Sequence, residues 1–390
     1  MIPVDPFDRR ARPDPYPVYQ YMRTVEPIHK SPLGFWILTR YADCRQVLED
    51  RRWSHDADRI LEPARGPDEP TDPTVRLLRS SILFSDPPEH AKHLRPLEGV
   101  VRKAAKSTEQ RATAVAHDLV SLMREKGGRV DLIQDFSSPL AVVVICDLLG
   151  IPAADRLAVQ RWGRELASGL DPMIRAAGVI RAGAASAALV EYLLDRIDSA
   201  TLGSGALHDL ATMPRKVRTW GLIADLAVLI ATGLEATSAF IGNAALALVR
   251  HPDVRHELAG RPDRRPSAVE ELLRFDSPVH LTARAATVDI DLDGHTVAAG
   301  EQVIVMLGAA NRDPSRFQDP DRLDISRQDN QHLAFGHGAH SCFAAPLARL
   351  IGGPAVMTLA GLEMDLAGDP AWLDTVTMRG LRQLPVTLRT

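Results

Sequence analysis

Phe335-Gly-His-Gly-Ala-His-Ser-Cys342 sets two glycines and two histidines just ahead of a cysteine, and an apolar helix-like run, Phe343 to Leu350, follows it. That order puts the Cys342 thiol at a helix start. Backbone N–H groups and the positive end of the helix dipole there stabilise a thiolate, the form that binds iron. Pro346 is acceptable because it falls in the first helical turn. Gly336 and Gly338 let the backbone approach a flat ring system where a Cβ would collide. A lone cysteine is more often a small buried hydrophobe, so the argument rests on the spacing.

Further runs carry chemistry-bearing residues in a fixed order. In Glu270-Glu-Leu-Leu-Arg274, Glu271 and Arg274 share one helical face, an arrangement that alone reads as a solvated ion pair; Phe275-Asp-Ser-Pro-Val279 follows. Leu229 to Thr237 is an apolar helical stretch with one carboxylate, Glu235, and Asn311 to Asp324 is dense in turn formers and charge. Asp86-Pro-Pro-Glu-His90 precedes them all.

Together and in this sequence the runs resemble those of the cytochrome P450 family, whose haem-binding signature is Phe-Gly-x-Gly-x-His-x-Cys. The resemblance covers most of the chain. It implies haem b (iron protoporphyrin IX) as cofactor, with Cys342 as the metal ligand, Phe335 and Gly336 beside the sulfur, and His340 on a haem propionate. His90 and Arg284 are implied as further propionate partners, since buried carboxylates need cations or hydrogen-bond donors. Glu271 and Arg274 would fasten the loop before the cysteine. The implied reaction is hydroxylation or epoxidation with O2, and the electrons come from NAD(P)H through ferredoxin and ferredoxin reductase.

Three departures from the family pattern matter. Ala344 stands where glycine is usual. Leu94 occupies the place of an arginine four residues after His90, so either Arg95 reaches round or that contact is missing, and His93 is another candidate partner. Above the iron the family places a glycine that permits a local helix break and an acid followed by threonine; Gly233 and Glu235 match, but Ala236 replaces the threonine. Thr232 and Ala236 share a face at i,i+4, which makes Thr232 the candidate substitute, while Thr237 is rotated by roughly 100°. Val228, Ala231, Val279, His280 and Leu281 are the expected pocket walls, with His280 able to orient a polar group. The missing hydroxyl leaves open oxidative coupling, ring closure or peroxide-driven oxidation on the same scaffold. A haem carrier without turnover needs no proton path, so the buried acid argues against it.

The elements that must position these residues follow from the hydrophobic pattern. Helical periods dominate from about Pro88 to Leu258, including Ile174 to Ile197 and an apolar run, Trp220 to Val249, suited to the middle of a large protein. Short strands are expected at Gly34 to Thr39 and, with hairpin signals at Asp293-Gly294 and Ala299-Gly300, between Leu281 and Val305. The expected fold class is mainly α, a cytochrome P450 fold in one domain over 1–390 with a β-richer minor lobe from about 1–53 and 281–305. Ser54 to Thr74, rich in Pro, Asp and Glu, reads as a long loop over the site.

Composition sets outer bounds. With 390 residues, 45% hydrophobic and 25% charged, the chain can bury a sizeable core, and a formal charge of -4 without a Lys/Arg run argues against nucleic acid as a partner. Cys44, Cys146 and Cys342 lie too far apart in sequence to suggest a disulfide framework or zinc site. The charged first ten residues and the interrupted apolar runs suggest a cytoplasmic monomer with no membrane span. The substrate is expected to be a small natural-product intermediate, free or tethered to a carrier protein.

Overall fold

The computed structural model describes residues 5–61, 72–199, 205–212 and 219–389. Among them, helices of seven or more residues are α1 (Tyr16–Val25), α2 (Tyr41–Glu49), α3 (Pro73–Arg79), α4 (Glu89–Glu125), α5 (Ser138–Leu149), α6 (Arg156–Ser168), α7 (Ala176–Ser199), α8 (Ala206–Thr212), α9 (Trp220–Arg250), α10 (Pro252–Gly260), α11 (Arg265–Phe275) and α12 (Ala345–Ala360).

The architecture follows from α9. Its 31 residues are rich in Ala, Leu and Ile and apolar on nearly every face, so the helix is stable only when surrounded. The Thr219 hydroxyl caps it by accepting from the Leu222 N–H, and α5, α6, α7 and α12 pack around it. In turn α12 lies along the 37-residue α4, which carries Pro96 within its first turns. By length and composition Ala176–Asp198 and Trp220–Arg250 could cross a membrane, contrary to the sequence expectation of interrupted runs, but most of the second is buried by the protein's own helices.

A five-stranded sheet flanks the helical body. Its strands are β1 (Ile28–Lys30), β2 (Trp36–Leu38), β3 (Trp53–Ser54), β4 (Thr282–Ala286) and, after the hairpin of β5 (Ile290–Leu292) and β6 (His295–Val297), β7 (Gln302–Val305). The order is β1-β2-β7-β4-β3, so early and late parts of the chain interleave. Strand β2 runs parallel to β7 with Trp36 opposite Val303, and β3 runs antiparallel to β4 with Ser54 opposite Ala285. Asp293 and Gly294 turn the β5–β6 hairpin at φ of 50° and 83°, the left-handed backbone such a tight turn requires. The long loop expected over Ser54 to Thr74 instead includes the end of β3, a short helix at Ala57–Ile60 and the start of α3; residues 62–71 of it lie outside the described residues.

Candidate active site

Between α9 and the loop that leads into α12 lies a cavity of about 1070 Å³ with predominantly apolar walls. Val228, Leu229, Thr232, Gly233, Ala236 and Thr237 line it from α9, and Phe335, Gly336, Cys342, Ala344, Leu347 and Ile351 line it from the opposite side. Helical spacing explains the first set: residues 228, 229, 232, 233, 236 and 237 follow the i, i+4 rows of one face.

The cysteine loop is held by its backbone. The Cys342 N–H donates to the Phe335 carbonyl at 2.9 Å, closing a tight loop in which Gly336 and Gly338 have φ of 69° and 73°. A Cβ on Gly338 would collide with the Leu48 carbonyl, so glycine there lets the loop pack against the end of α2. The Cys342 side chain opens to the cavity yet lies deep in the protein. Burial pushes its thiol pKa up, while the Ala344 and Ala345 N–H groups at the start of α12 oppose that shift. What separates Cys342 from the buried thiols of Cys44 and Cys146 is that it opens to the cavity.

At one side of the cavity N–H donors gather around a single carboxylate. His55, His90, His340 and Arg284 all line the cavity; the His90 and His340 rings lie 4.4 Å apart, and those of His55 and His340 5.4 Å apart. Asp86 is the acid of this cluster, but it already accepts from Ser54 Oγ at 2.5 Å and the His55 backbone N–H at 2.9 Å. Burial, then the Arg284 charge and His90, hold His340 down to about 4, and burial lowers Arg284 to about 10. The cluster offers more N–H donors than Asp86 can accept from, so it fits the two carboxylates on the edge of a haem.

The other expected site residues divide. Val279 and Leu281 line the cavity, whereas His280 does not; successive residues of an extended chain point to opposite sides, and His280 points into the core. There its Nδ1 lies 3.0 Å from the Tyr19 hydroxyl, and its Nε2 stands 3.9 Å from Asp276, within ion-pair range but too long for a hydrogen bond. Ala231 also turns away and packs beside Gly163 of α6, where the missing side chain of the glycine lets the two helices approach closely. Arg95 is exposed and absent from the cavity wall, which Leu94 reaches instead, and His93 pairs with Asp225 at 2.7 Å. Glu235 lies outside the wall, paired with Arg164 of α6 at 3.3 Å, because it sits about 100° round the helix from Ala236. The helix runs unbroken through Gly233. Thr237, set aside at the sequence level, is a wall residue, since the cavity spans more of the helix than one row. His55 was missed altogether; no motif surrounds it, and only the β3–β4 pairing reveals its position.

Glu271 and Arg274 are fully buried rather than solvated, joined by two hydrogen bonds of 2.8 Å. Arg274 donates to the carbonyls of Asn311, Pro320 and Arg322, and Glu271 accepts from the Asp324 N–H, Arg327 and Asn330. One ion pair thus clamps α11 to the irregular segment that leads into the cysteine loop.

Comparison with known proteins identifies the family. The family profile described as cytochrome P450 matches residues 266–357, which contain both the Glu271–Arg274 pair and the cysteine loop. The chain is 36% identical to vitamin D(3) 25-hydroxylase of Pseudonocardia autotrophica, over 96% of this chain and 94% of that protein. It is 35% identical to mycinamicin IV hydroxylase/epoxidase of Micromonospora griseorubida, over 94% of each. Among solved structures, P450BioI in complex with an acyl carrier protein ligated to hexadec-9Z-enoic acid superposes with a TM-score of 0.88 at 31% identity, covering 97% of this chain and 99% of that one. The chain therefore belongs to the cytochrome P450 family and is a haem-dependent monooxygenase.

Proposed function

We propose that Cys342 holds the haem iron through its thiolate, and that the cavity above it receives a natural-product intermediate for hydroxylation or epoxidation. The observation that carries this reading is the placement of Cys342 at the start of α12, open to a large apolar cavity and facing the Thr232–Ala236 side of α9. A haem bound there supplies O2 binding and O–O bond cleavage, which a thiolate ligand favours. Electrons would come from NAD(P)H through ferredoxin and ferredoxin reductase. The apolar walls that α9 and residues 279–281 offer beyond the haem space suit a hydrophobic substrate, the two relatives are named for oxidising vitamin D(3) and mycinamicin IV, and the acyl-carrier complex of a structural neighbour supports a carrier-tethered form.

The chain's own residues supply water exclusion and a proton. Val228, Leu229, Val279 and Leu281 wall the cavity with hydrocarbon. Glu235 holds a proton more tightly than an ordinary carboxyl because burial raises its pKa against the pull of Arg164. Thr232 Oγ1 donates to the Val228 carbonyl at 2.8 Å and keeps a lone pair for a second partner. Gly233 and Ala236 leave room beside it for water, so a Glu235 carboxyl proton has a water path toward the cavity, in which Thr232 Oγ1 accepts from and orients a water while that water or a substrate hydroxyl carries the proton on.

The test is product formed per NAD(P)H consumed, for wild type, Thr232→Ala, Glu235→Gln and Ala236→Thr, across free and carrier-tethered substrates. Generic substrates consume NAD(P)H and release peroxide with little product, and the natural substrate couples well. Glu235→Gln lowers coupling by about tenfold or more, and Ala236→Thr raises it for generic substrates. Equal coupling by all substrates, unchanged by Thr232→Ala and Glu235→Gln, would reduce the distal face to a shaped wall.

A further inference from the structure

His55 stands in the cavity wall with no assigned task, and its surroundings define one. The β3–β4 register pairs Trp53 with Ala286 and Ser54 with Ala285, so one step further along the same antiparallel alignment Arg284 stands opposite His55. Asp86 fixes the backbone there by accepting from both Ser54 Oγ and the His55 N–H. The ring is held flat against Phe84, with centroids 4.9 Å apart and planes at 30°, and edge-on to His340. The residue is 94% buried (6% exposed); its Nδ1 is closed off beside the Leu83 carbonyl, which leaves Nε2 as the ring nitrogen that can reach the cavity. A donor fixed there finds no protein partner among the described residues and is satisfied only by an acceptor inside the cavity.

The haem edge provides such an acceptor. Two carboxylates must be satisfied, and the donor expected four residues after His90 is missing: Leu94 supplies only hydrocarbon to the wall and Arg95 is exposed. His55 is a buried N–H donor within the same cluster as His90, His340 and Arg284, reached from a different strand.

We propose that His55 donates a hydrogen bond to a haem propionate and takes over the role of the arginine that Leu94 replaces. This inference rests on the haem-thiolate reading above. His55 is a positioning residue for the cofactor and takes no part in the oxidation itself.

The test uses purified holoenzyme whose reduced, CO-bound spectrum first establishes thiolate-ligated haem; without that band the haem-thiolate reading itself fails. Haem transfer to excess apomyoglobin is then timed for wild type, His55→Phe, His55→Gln, Leu94→Arg and the His55→Phe/Leu94→Arg double variant, and resonance Raman spectra are recorded for each. His55→Phe loses haem about tenfold faster. His55→Gln, which keeps an N–H donor, loses it at close to the wild-type rate, and Leu94→Arg restores retention to His55→Phe. In His55→Phe the propionate bending bands move while the iron–sulfur stretch stays. The proposal is overturned if His55→Phe retains haem as wild type does. It is equally overturned if His55→Phe loses haem faster with unmoved propionate bands and no rescue by Leu94→Arg, which would make His55 a packing residue only.

Discussion

Thr232 and Ala236 are one turn apart on the same face of α9, so exchanging threonine for alanine at the second place and presenting threonine at the first moves a hydroxyl by about 6 Å along the helix without removing it from the cavity. That much was legible in the sequence, because i,i+4 residues of a long apolar helix share a face. The direction of Glu235 was not, since it depends on where α6 places Arg164. His280 shows the same limit: its neighbours Val279 and Leu281 were placed at the wall, but strand alternation turns His280 into a core of Tyr16, Tyr19, Asp276 and Arg379. Burial lowers its pKa to about 4, from an ordinary value of 6.5, against the opposing pull of Asp276. The folded protein therefore binds this proton less readily than the unfolded chain, so stability is lost as pH falls from about 6.5 to about 4. We expect His280→Gln to be less stable than wild type at neutral pH, by about 1–3 kcal/mol, with the gap narrowing across that window and with substrate affinity unchanged. Urea midpoints and ligand-induced haem spectra measure both. Parallel pH profiles, or weakened substrate binding, would return His280 to the pocket.

At the scale of elements, the clamp between α11 and the 311–330 segment decides whether the cysteine loop keeps its shape. The segment has little regular structure, so its order comes from carbonyl and N–H groups that converge on Glu271 and Arg274. Spacing in the sequence identified the pair, but its burial could not be read there, because the groups that satisfy it lie 37 to 59 residues away. Removing either partner leaves a charge buried without compensation. Glu271→Ala and Arg274→Ala should each lose about 3–5 kcal/mol of stability and be recovered mostly without haem. Arg274→Lys should rescue poorly, because an ammonium cannot reproduce the forked contacts of guanidinium. Haem-to-protein ratios and thermal unfolding check this, and haem-replete variants of normal stability would make the pair dispensable.

Across the whole molecule, the helical body was readable because its apolar periods are long and local. The sheet was readable only as strands: nothing local sets Ser54 opposite Ala285 or Trp36 opposite Val303, pairings that join positions more than 200 residues apart. Those pairings bring His55 to Arg284, while the packing of α9 against α12 brings the distal face over Cys342. Everything proposed for the site depends on the last of these placements. The direct measurement is the absorption spectrum of the reduced, CO-bound protein, for wild type and Cys342→Ser at equal haem content. The account predicts the red-shifted band of thiolate ligation in wild type and its loss in Cys342→Ser with the fold preserved by circular dichroism. A Cys342→Ser protein that keeps that band would show that another group holds the iron, and the assignment of the site would be wrong.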